Sequence, residues 1–263
     1  KILCYYRYIL IIKDGVYREL SFLTRGTLPN TGGNEMKNQQ MMDINKKSTA
    51  LTLIGITVMI LLTLTKVVPS STIAGYSVFV GIVFFFIVED VSKTRASESG
   101  LRFNTIVTDL KKSGVIIWML LPSLSGIVAL VAGNIIFGGE FVAHVMGRTD
   151  SILSFDKTAL LIGQVIIAAF GEEIAYRGFF FGKSLKIFPI WISAVVSSIV
   201  FAAGHIATGN IGIVAYDIAG VFIDSLIFSV IYYKSGNCVI STFSHILGNT
   251  ISIVAVFMFF LRR

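Results

Sequence analysis

The chain has 263 residues, of which 54% are hydrophobic and only 14% are charged, and its mean hydropathy is +0.80. A soluble domain usually carries about 25% charged residues, so this composition excludes an ordinary soluble enzyme and a disordered chain. The net charge of +7 comes from 22 basic against 15 acidic residues. Because the basic residues lie between long apolar runs, they favour contact with a lipid bilayer over contact with nucleic acid. The sequence therefore predicts an all-α fold, a polytopic transmembrane helix bundle.

Seven apolar runs are long enough to span a bilayer, which needs about 20 helical residues. Their approximate bounds are 49–68, 71–89, 115–137, 158–186, 188–207, 211–233 and 238–261. The segments before the first run and after the second, fourth and sixth hold most of the lysines and arginines, which predicts that these segments and the N-terminus are cytoplasmic. Seven spans then place Arg262 and Arg263 on the other side, against this bias, so eight spans are the alternative. We expect a multi-pass protein of the cell membrane.

The runs divide the chain into three predicted regions. Residues 1–41 are interpreted as an N-terminal tail, an upstream extension without function, because 26–40 are rich in turn-forming and polar residues and Met41 resembles a natural start. Residues 42–157 hold the first three spans with their loops. Residues 158–263 hold the last four spans.

Ionisable residues inside the predicted spans carry the functional signal, because charge is costly within a bilayer. Glu172 and Glu173 lie in the fourth run, and Arg177 follows Glu173 by four residues. Glu173 and Arg177 therefore share a helix face and can pair. Glu172 points about 100° away from them, so it is outside this pair and available for a different role. A carboxyl group buried near a second carboxylate suits a general base.

Two of the three histidines lie at a similar predicted depth. His205 ends the fifth run, and His245 lies in the seventh, one helical turn before Asn249. The helical rise places these residues and the glutamates roughly 14–26 Å from the cytoplasmic turns, so all can meet in one layer inside the membrane. One glutamate with His205 can take a proton from water, while His245 and Asn249 donate to an oxyanion. The set Glu172, Glu173, His205 and His245 also suits a divalent metal such as zinc, and the residue types leave this choice open.

Three further features have less specific interpretations. Asp217 and Asp224 share a face of the sixth run and either orient a site histidine, line a polar cavity or bind a substrate amine. His144 is expected to be a solvated loop residue. The basic stretch 102–112 is either a surface helix on the bilayer or a solvated loop.

Three motifs together resemble the signature of the CPBP family, the CAAX proteases and bacteriocin-processing (Abi) membrane proteases. They read Glu172-Glu173-x-x-x-Arg177, Phe201-x-x-x-His205 and His245-x-x-x-Asn249, in the order of the family, and the resemblance covers about 158–253. It implies that 158–263 form the catalytic core of an intramembrane endopeptidase, a metallo- or glutamate-type hydrolase that cleaves small peptides or lipid-modified protein tails.

The same resemblance implies a role for each residue of the motifs. Glu172 would activate water with help from His205. Glu173 and Arg177 would shape the site, and His245 with Asn249 would hold the oxyanion. Asp217 and Asp224 lie outside the three motifs, and we expect them to support the site. The oligomeric state is not predicted.

Two other functions compete with a protease. The first is a non-catalytic bacteriocin-immunity or regulatory membrane scaffold, in which the Glu172/Glu173 and Arg177 group is a structural ion pair. The second is a proton-coupled transporter, in which four intramembrane carboxylates relay protons: Glu172, Glu173, Asp217 and Asp224. A transporter predicts broken helices or inverted repeats, and the sequence has neither.

Overall fold

The computed structural model describes residues 32–65, 74–150 and 157–260, and within these ranges the chain forms helices and turns with no strand. The prediction of an all-α protein is confirmed for this part of the chain. The α-helices are α1 (Gly32–Thr65), α2 (Ala74–Val91), α3 (Ile106–Leu110), α4 (Val115–Phe137), α5 (Gly139–Asp150), α6 (Thr158–Glu173), α7 (Gly182–Ser184), α8 (Ile190–Ala203), α9 (Ile211–Ser235) and α10 (Cys238–Ala255). Two π-helical segments, Ile174–Phe181 and Val256–Phe260, follow α6 and α10.

The chain divides into two units, 1–44 and 45–263. In the first, the described residues begin at Gly32, where α1 starts. The predicted tail 1–41 therefore ends in a helix, and its remaining residues lie outside the described ranges. All contacts that position the candidate site lie within the second unit.

Five described helices are long and apolar enough to cross a membrane: Asn38–Thr65, Val115–Phe137, Ala159–Ser184, Ile211–Ser235 and Cys238–Met258. They correspond to the first, third, fourth, sixth and seventh predicted runs. The fifth run becomes the shorter α8, which begins after Pro189 and ends at Ala203. Its 14 residues reach about 21 Å, less than the roughly 30 Å of a bilayer core. The count of seven spans therefore stays a prediction.

The largest apolar core surrounds the π-helical segment that follows α6. All eight residues of Ile174–Phe181 are buried, and Phe179 packs among aromatic side chains of α2. The two helices approach so closely that a Cβ at Gly81 would lie 2.9 Å from the Cα of Ala175. This packing holds the end of α6, which carries both glutamates, firmly against α2.

The turn between α9 and α10 has strong local signals. Gly236 closes α9 in the left-handed conformation (φ 69°), which a residue without a Cβ adopts at little cost. Asn237 then caps α10, accepting a hydrogen bond from the backbone N–H of Val239 at 3.1 Å. This turn sets the direction of α10 and so the position of His245.

A buried polar cluster ties the segment before α4 to this turn. Asp109 accepts hydrogen bonds from Thr105 Oγ1 at 2.7 Å and from Asn237 Nδ2 at 2.9 Å. Two basic residues pair with the same carboxylate, Lys112 at 2.7 Å and Arg102 at 3.3 Å. The stretch 102–112 is thus a short helix, α3, and its flanks rather than a plain solvated loop, and Arg102 and Lys112 bind protein instead of facing only solvent.

The charge of Asp109 should make the fold sensitive to acid. Burial acts to raise the pKa of this carboxyl, but the hydrogen bonds from Lys112, Thr105 and Asn237 outweigh it and lower the pKa from 3.8 to about 2. A carboxyl with a lowered folded-state pKa stabilises the fold above pH 4 or so, and this stabilisation is lost as the pH falls toward about 2. We expect the unfolding temperature of the detergent-solubilised chain to drop more over this range for the wild type than for Asp109→Asn. Equal drops would contradict this expectation.

Candidate active site

A cavity of about 280 Å³ lies among α4, α5, α6, α9, α10 and the end of α8. Its walls are mostly apolar, and six of the eight predicted site residues line it: Glu172, His205, Asp217, Asp224, His245 and Asn249. The other two, Glu173 and Arg177, lie behind the wall. Side chains from all three sequence motifs therefore face one common space.

The ion pair behind the wall is completely buried. Glu173 is 0% exposed and Arg177 is 1% exposed, and Arg177 Nη1 donates to Glu173 Oε1 at 2.9 Å, as the four-residue spacing predicts. Nη2 donates to Ser225, to the hydroxyl at 2.8 Å and to the carbonyl oxygen at 3.1 Å. The guanidinium also lies over the rings of Phe201 and Phe228, at 4.6 and 5.0 Å from their centroids. These contacts compensate the cost of burying a cation.

His245 connects this pair to the cavity. Its Nδ1 lies 3.0 Å from Glu173 Oε1, and because an ionised carboxylate only accepts, Nδ1 carries the hydrogen. Its Nε2 lies 3.8 Å from Glu172 Oε2. The imidazole stacks on Phe228, with ring centroids 4.6 Å apart. The ring is therefore fixed in the wall, with one nitrogen toward each glutamate.

Glu172 is directed differently from its neighbour. Its side chain is 17% exposed and lines the cavity, whereas that of Glu173 is 0% exposed. This difference follows from the rotation of about 100° between successive helical residues. The two adjacent carboxylates thus occupy different environments, one sealed in an ion pair and one facing the cavity.

His205 lies two residues beyond the end of α8, in the turn that follows the helix. Its Nδ1 is 2.8 Å from the carbonyl oxygen of Phe201, which can only accept, so Nδ1 carries the hydrogen. In the neutral ring Nε2 is then the acceptor nitrogen, the form that can take a proton. The ring lines the same cavity as Glu172, with Nε2 as its acceptor nitrogen.

Asp217 contacts two residues of α5 rather than a motif histidine. Its Oδ2 lies 3.3 Å from His144 Nε2 and 3.1 Å from Arg148 Nε. The side chain of His144 is only 7% exposed, so the expectation of a solvated loop residue was wrong. The residues around it form α5, which turns His144 and Arg148 inward. The signal in the sequence was their four-residue spacing, which places both on one helix face.

Asp224 lines the cavity two turns further along α9. Its Oδ1 is buried and has no hydrogen-bond partner among the described residues. Asn249, one turn after His245 on α10, lines the cavity as well. Both residues add polar groups to a space whose walls are otherwise largely apolar.

The four residues considered as metal ligands are not arranged as a coordination site. Within the described ranges, no three His, Cys, Asp or Glu side chains are placed to hold one metal ion. Glu173 Oε1 is already shared by Arg177 and His245, whereas His205 keeps Nε2 as an acceptor nitrogen because its Nδ1 carries the hydrogen that meets the Phe201 carbonyl. In this arrangement the donors do not fit a metal bound by three protein ligands.

Comparison with known families adds an independent line of support. Residues 153–251 match a family model described as type II CAAX prenyl endopeptidase Rce1-like, and this stretch contains all three motifs. No curated protein and no solved structure matches the chain. Together, the match and the five described apolar helices indicate a multi-pass membrane protein. The resemblance inferred from the motifs is confirmed, because residues 153–251 match the Rce1-like type II CAAX prenyl endopeptidase family, a family of proteases.

Proposed function

We propose that this chain is a glutamate-type intramembrane endopeptidase of the cell membrane, with a cytoplasmic N-terminus, that hydrolyses an amide bond in a peptide or a lipid-modified protein tail. One observation carries the proposal: Glu172, His205, His245 and Asn249, from three separate motifs, line a single cavity. The mostly apolar walls suit a substrate that reaches the site from the bilayer.

In the proposed reaction Glu172 is the general base. A water molecule between Glu172 and His205 attacks the carbonyl carbon, and its proton passes to the Glu172 carboxylate. The acceptor nitrogen of His205 holds the second hydrogen of that water. When the carbon–nitrogen bond breaks, the proton on Glu172 moves to the leaving amine, so that the carboxylate is restored for the next cycle.

His245 and Asn249 are proposed to stabilise the oxyanion that forms on the attacked carbonyl. Because Nδ1 of His245 donates to Glu173, donation to the oxyanion requires a proton on Nε2 as well. Glu172, 3.8 Å away, is the group that can share a proton with that nitrogen. The side-chain amide of Asn249 is the second donor. Removal of one such donor typically slows a reaction by about 100- to 1,000-fold.

Glu173 and Arg177 act as positioning residues in this proposal. Neither lines the cavity, but Glu173 accepts the hydrogen bond that orients His245, and Arg177 balances its charge. The pair therefore supports the geometry of the oxyanion donors without touching the substrate.

The test uses the purified full chain in detergent with two sets of peptides, one prenylated near the carboxyl end and one unmodified. Mass spectrometry should find new peptide termini with the wild type and none with His245→Ala, which lacks the imidazole. Cleavage by His245→Ala at the wild-type rate would contradict the proposal.

The proposed reaction has no step that requires a metal, which gives a separate prediction. Treatment with EDTA or phenanthroline should leave the cleavage rate within about twofold of the untreated rate, since no ligand–metal bond contributes to the site. Elemental analysis of the purified protein should find far less than one equivalent of zinc. Loss of activity on chelation, restored by added zinc, would show that the glutamate-type mechanism is wrong.

A further inference from the structure

Arg148 is a basic residue of the cavity that the proposed hydrolysis does not use. It is the single lysine or arginine among the described residues that line the cavity, and its side chain is 13% exposed. Glu172 and His205 line the same cavity. A fixed cation therefore shares the space in which the amide bond is proposed to be hydrolysed.

Arg148 pairs with Asp217 through Nε, so most of the N–H donors of its guanidinium lie outside this ion pair. Asp217 Oδ2 lies 3.1 Å from Nε, while His144 approaches the same oxygen at 3.3 Å. A guanidinium has five N–H donors, and Nε supplies one of them. The four N–H groups of Nη1 and Nη2 are thus not used in the contact with Asp217. The pairing with Asp217 places the guanidinium at the cavity wall, although Arg148 Nε, Asp217 Oδ2 and His144 Nε2 form no hydrogen bond among the described residues.

Comparison with the other arginine pair in this region separates a structural role from a binding role. Arg177 is 1% exposed, does not line the cavity, and uses both Nη1 and Nη2 on protein acceptors. Arg148 lines the cavity and meets its carboxylate partner at Nε. A sealed pair suits packing, whereas a guanidinium at a cavity wall that meets its carboxylate only through Nε suits an anionic ligand.

We propose that Arg148 binds a carboxylate of the peptide substrate and so selects which amide bond reaches Glu172. The inference rests on the proposed endopeptidase function and specifies its substrate. The planar fork of a guanidinium matches a carboxylate with two parallel hydrogen bonds. Two groups on a peptide offer this chemistry, the free carboxyl terminus and an acidic side chain, and the probes must distinguish them.

The test measures binding, so it does not depend on turnover. The full chain in detergent is titrated with an acetylated tripeptide of valine, leucine and alanine, as the free acid and as the carboxamide. A third probe is the carboxamide with glutamate in the last position. We expect the wild type to bind the free acid at least about tenfold more tightly than the carboxamide, the scale of a charge-assisted hydrogen bond. Arg148→Gln should lose this preference, and Arg95→Gln, which removes an exposed cation outside the cavity, should keep it.

Each outcome decides the inference. If the glutamate probe alone shows the Arg148-dependent gain, an acidic side chain is the recognised group and the inference stands. Equal binding of all three probes by the wild type, or a preference that survives Arg148→Gln, overturns it. If Arg148→Gln does not fold because Asp217 is left without its arginine, Arg148→Gln with Asp217→Asn removes both charges and should show the same loss of preference. A result against Arg148 leaves cleavage by the wild type unaffected, whereas a chain that binds the acid through Arg148 but cleaves no peptide contradicts only the proposed function.

Discussion

The Glu172→Gln variant should cleave peptides at least about 1,000-fold more slowly than the wild type while it keeps its fold. The amide has the shape of the carboxylate but cannot take a proton from water, and general acid–base catalysis typically contributes about 100- to 10,000-fold. The same substitution removes the group that shares a proton with Nε2 of His245, 3.8 Å away. Because the Glu172 side chain is partly exposed to the cavity and its contact with His245 Nε2 is as long as 3.8 Å, loss of its charge should cost little stability.

The measurement is kcat for a fluorogenic peptide, together with the unfolding temperature of both proteins in detergent. Glu98→Gln is a matched control, because Glu98 is a surface carboxylate that is 63% exposed and lies outside the cavity. The control should retain wild-type kcat. A non-catalytic scaffold predicts that Glu172→Gln changes nothing, so a folded variant with a rate within tenfold of the wild type would reject the catalytic role of Glu172.

Helix periodicity was sufficient to predict the central contacts of the site. The spacing of Glu173 and Arg177 gave their ion pair, and the rotation between adjacent residues separated Glu172 from it. The helical rise also predicted that His205 and His245 reach one depth with the glutamates, and all line one cavity or its wall. The first two relations depend on regular geometry within one helix, which a sequence pattern carries directly, and the third adds the rise of each helix from its turn.

The contacts that periodicity missed join residues far apart in the sequence. His144 and Arg148 lie in a segment too polar to be taken for a span, and only the packing of α5 near α9 brings them to Asp217. Asp109 meets Asn237, 128 positions later, in the same way. Hydropathy also overestimated the length of the fifth helix, because it counts apolar residues and does not detect that α8 ends at Ala203. Tertiary contacts of polar residues have no local period from which they could be predicted.

Replacing Arg177 alone should destabilise the protein more than any other substitution considered, by about 3–5 kcal/mol. Arg177→Met fills most of the same volume but leaves the Glu173 carboxylate, 0% exposed, without its cation. It also removes the hydrogen bonds to Ser225 and the contacts with the rings of Phe201 and Phe228. We expect a lower unfolding temperature in detergent and loss of cleavage, since Glu173 would no longer be held in position to orient His245.

A second variant separates the buried charge from the loss of packing. Glu173→Gln combined with Arg177→Met leaves no unpaired charge, so its stability should recover by about 2 kcal/mol relative to Arg177→Met, a coupling that a double-mutant cycle measures. Cleavage should stay low, because a neutral amide holds the N–H of His245 more weakly than a carboxylate does. Additive losses of stability would mean that the two side chains act independently and that the pair is not the element that positions His245.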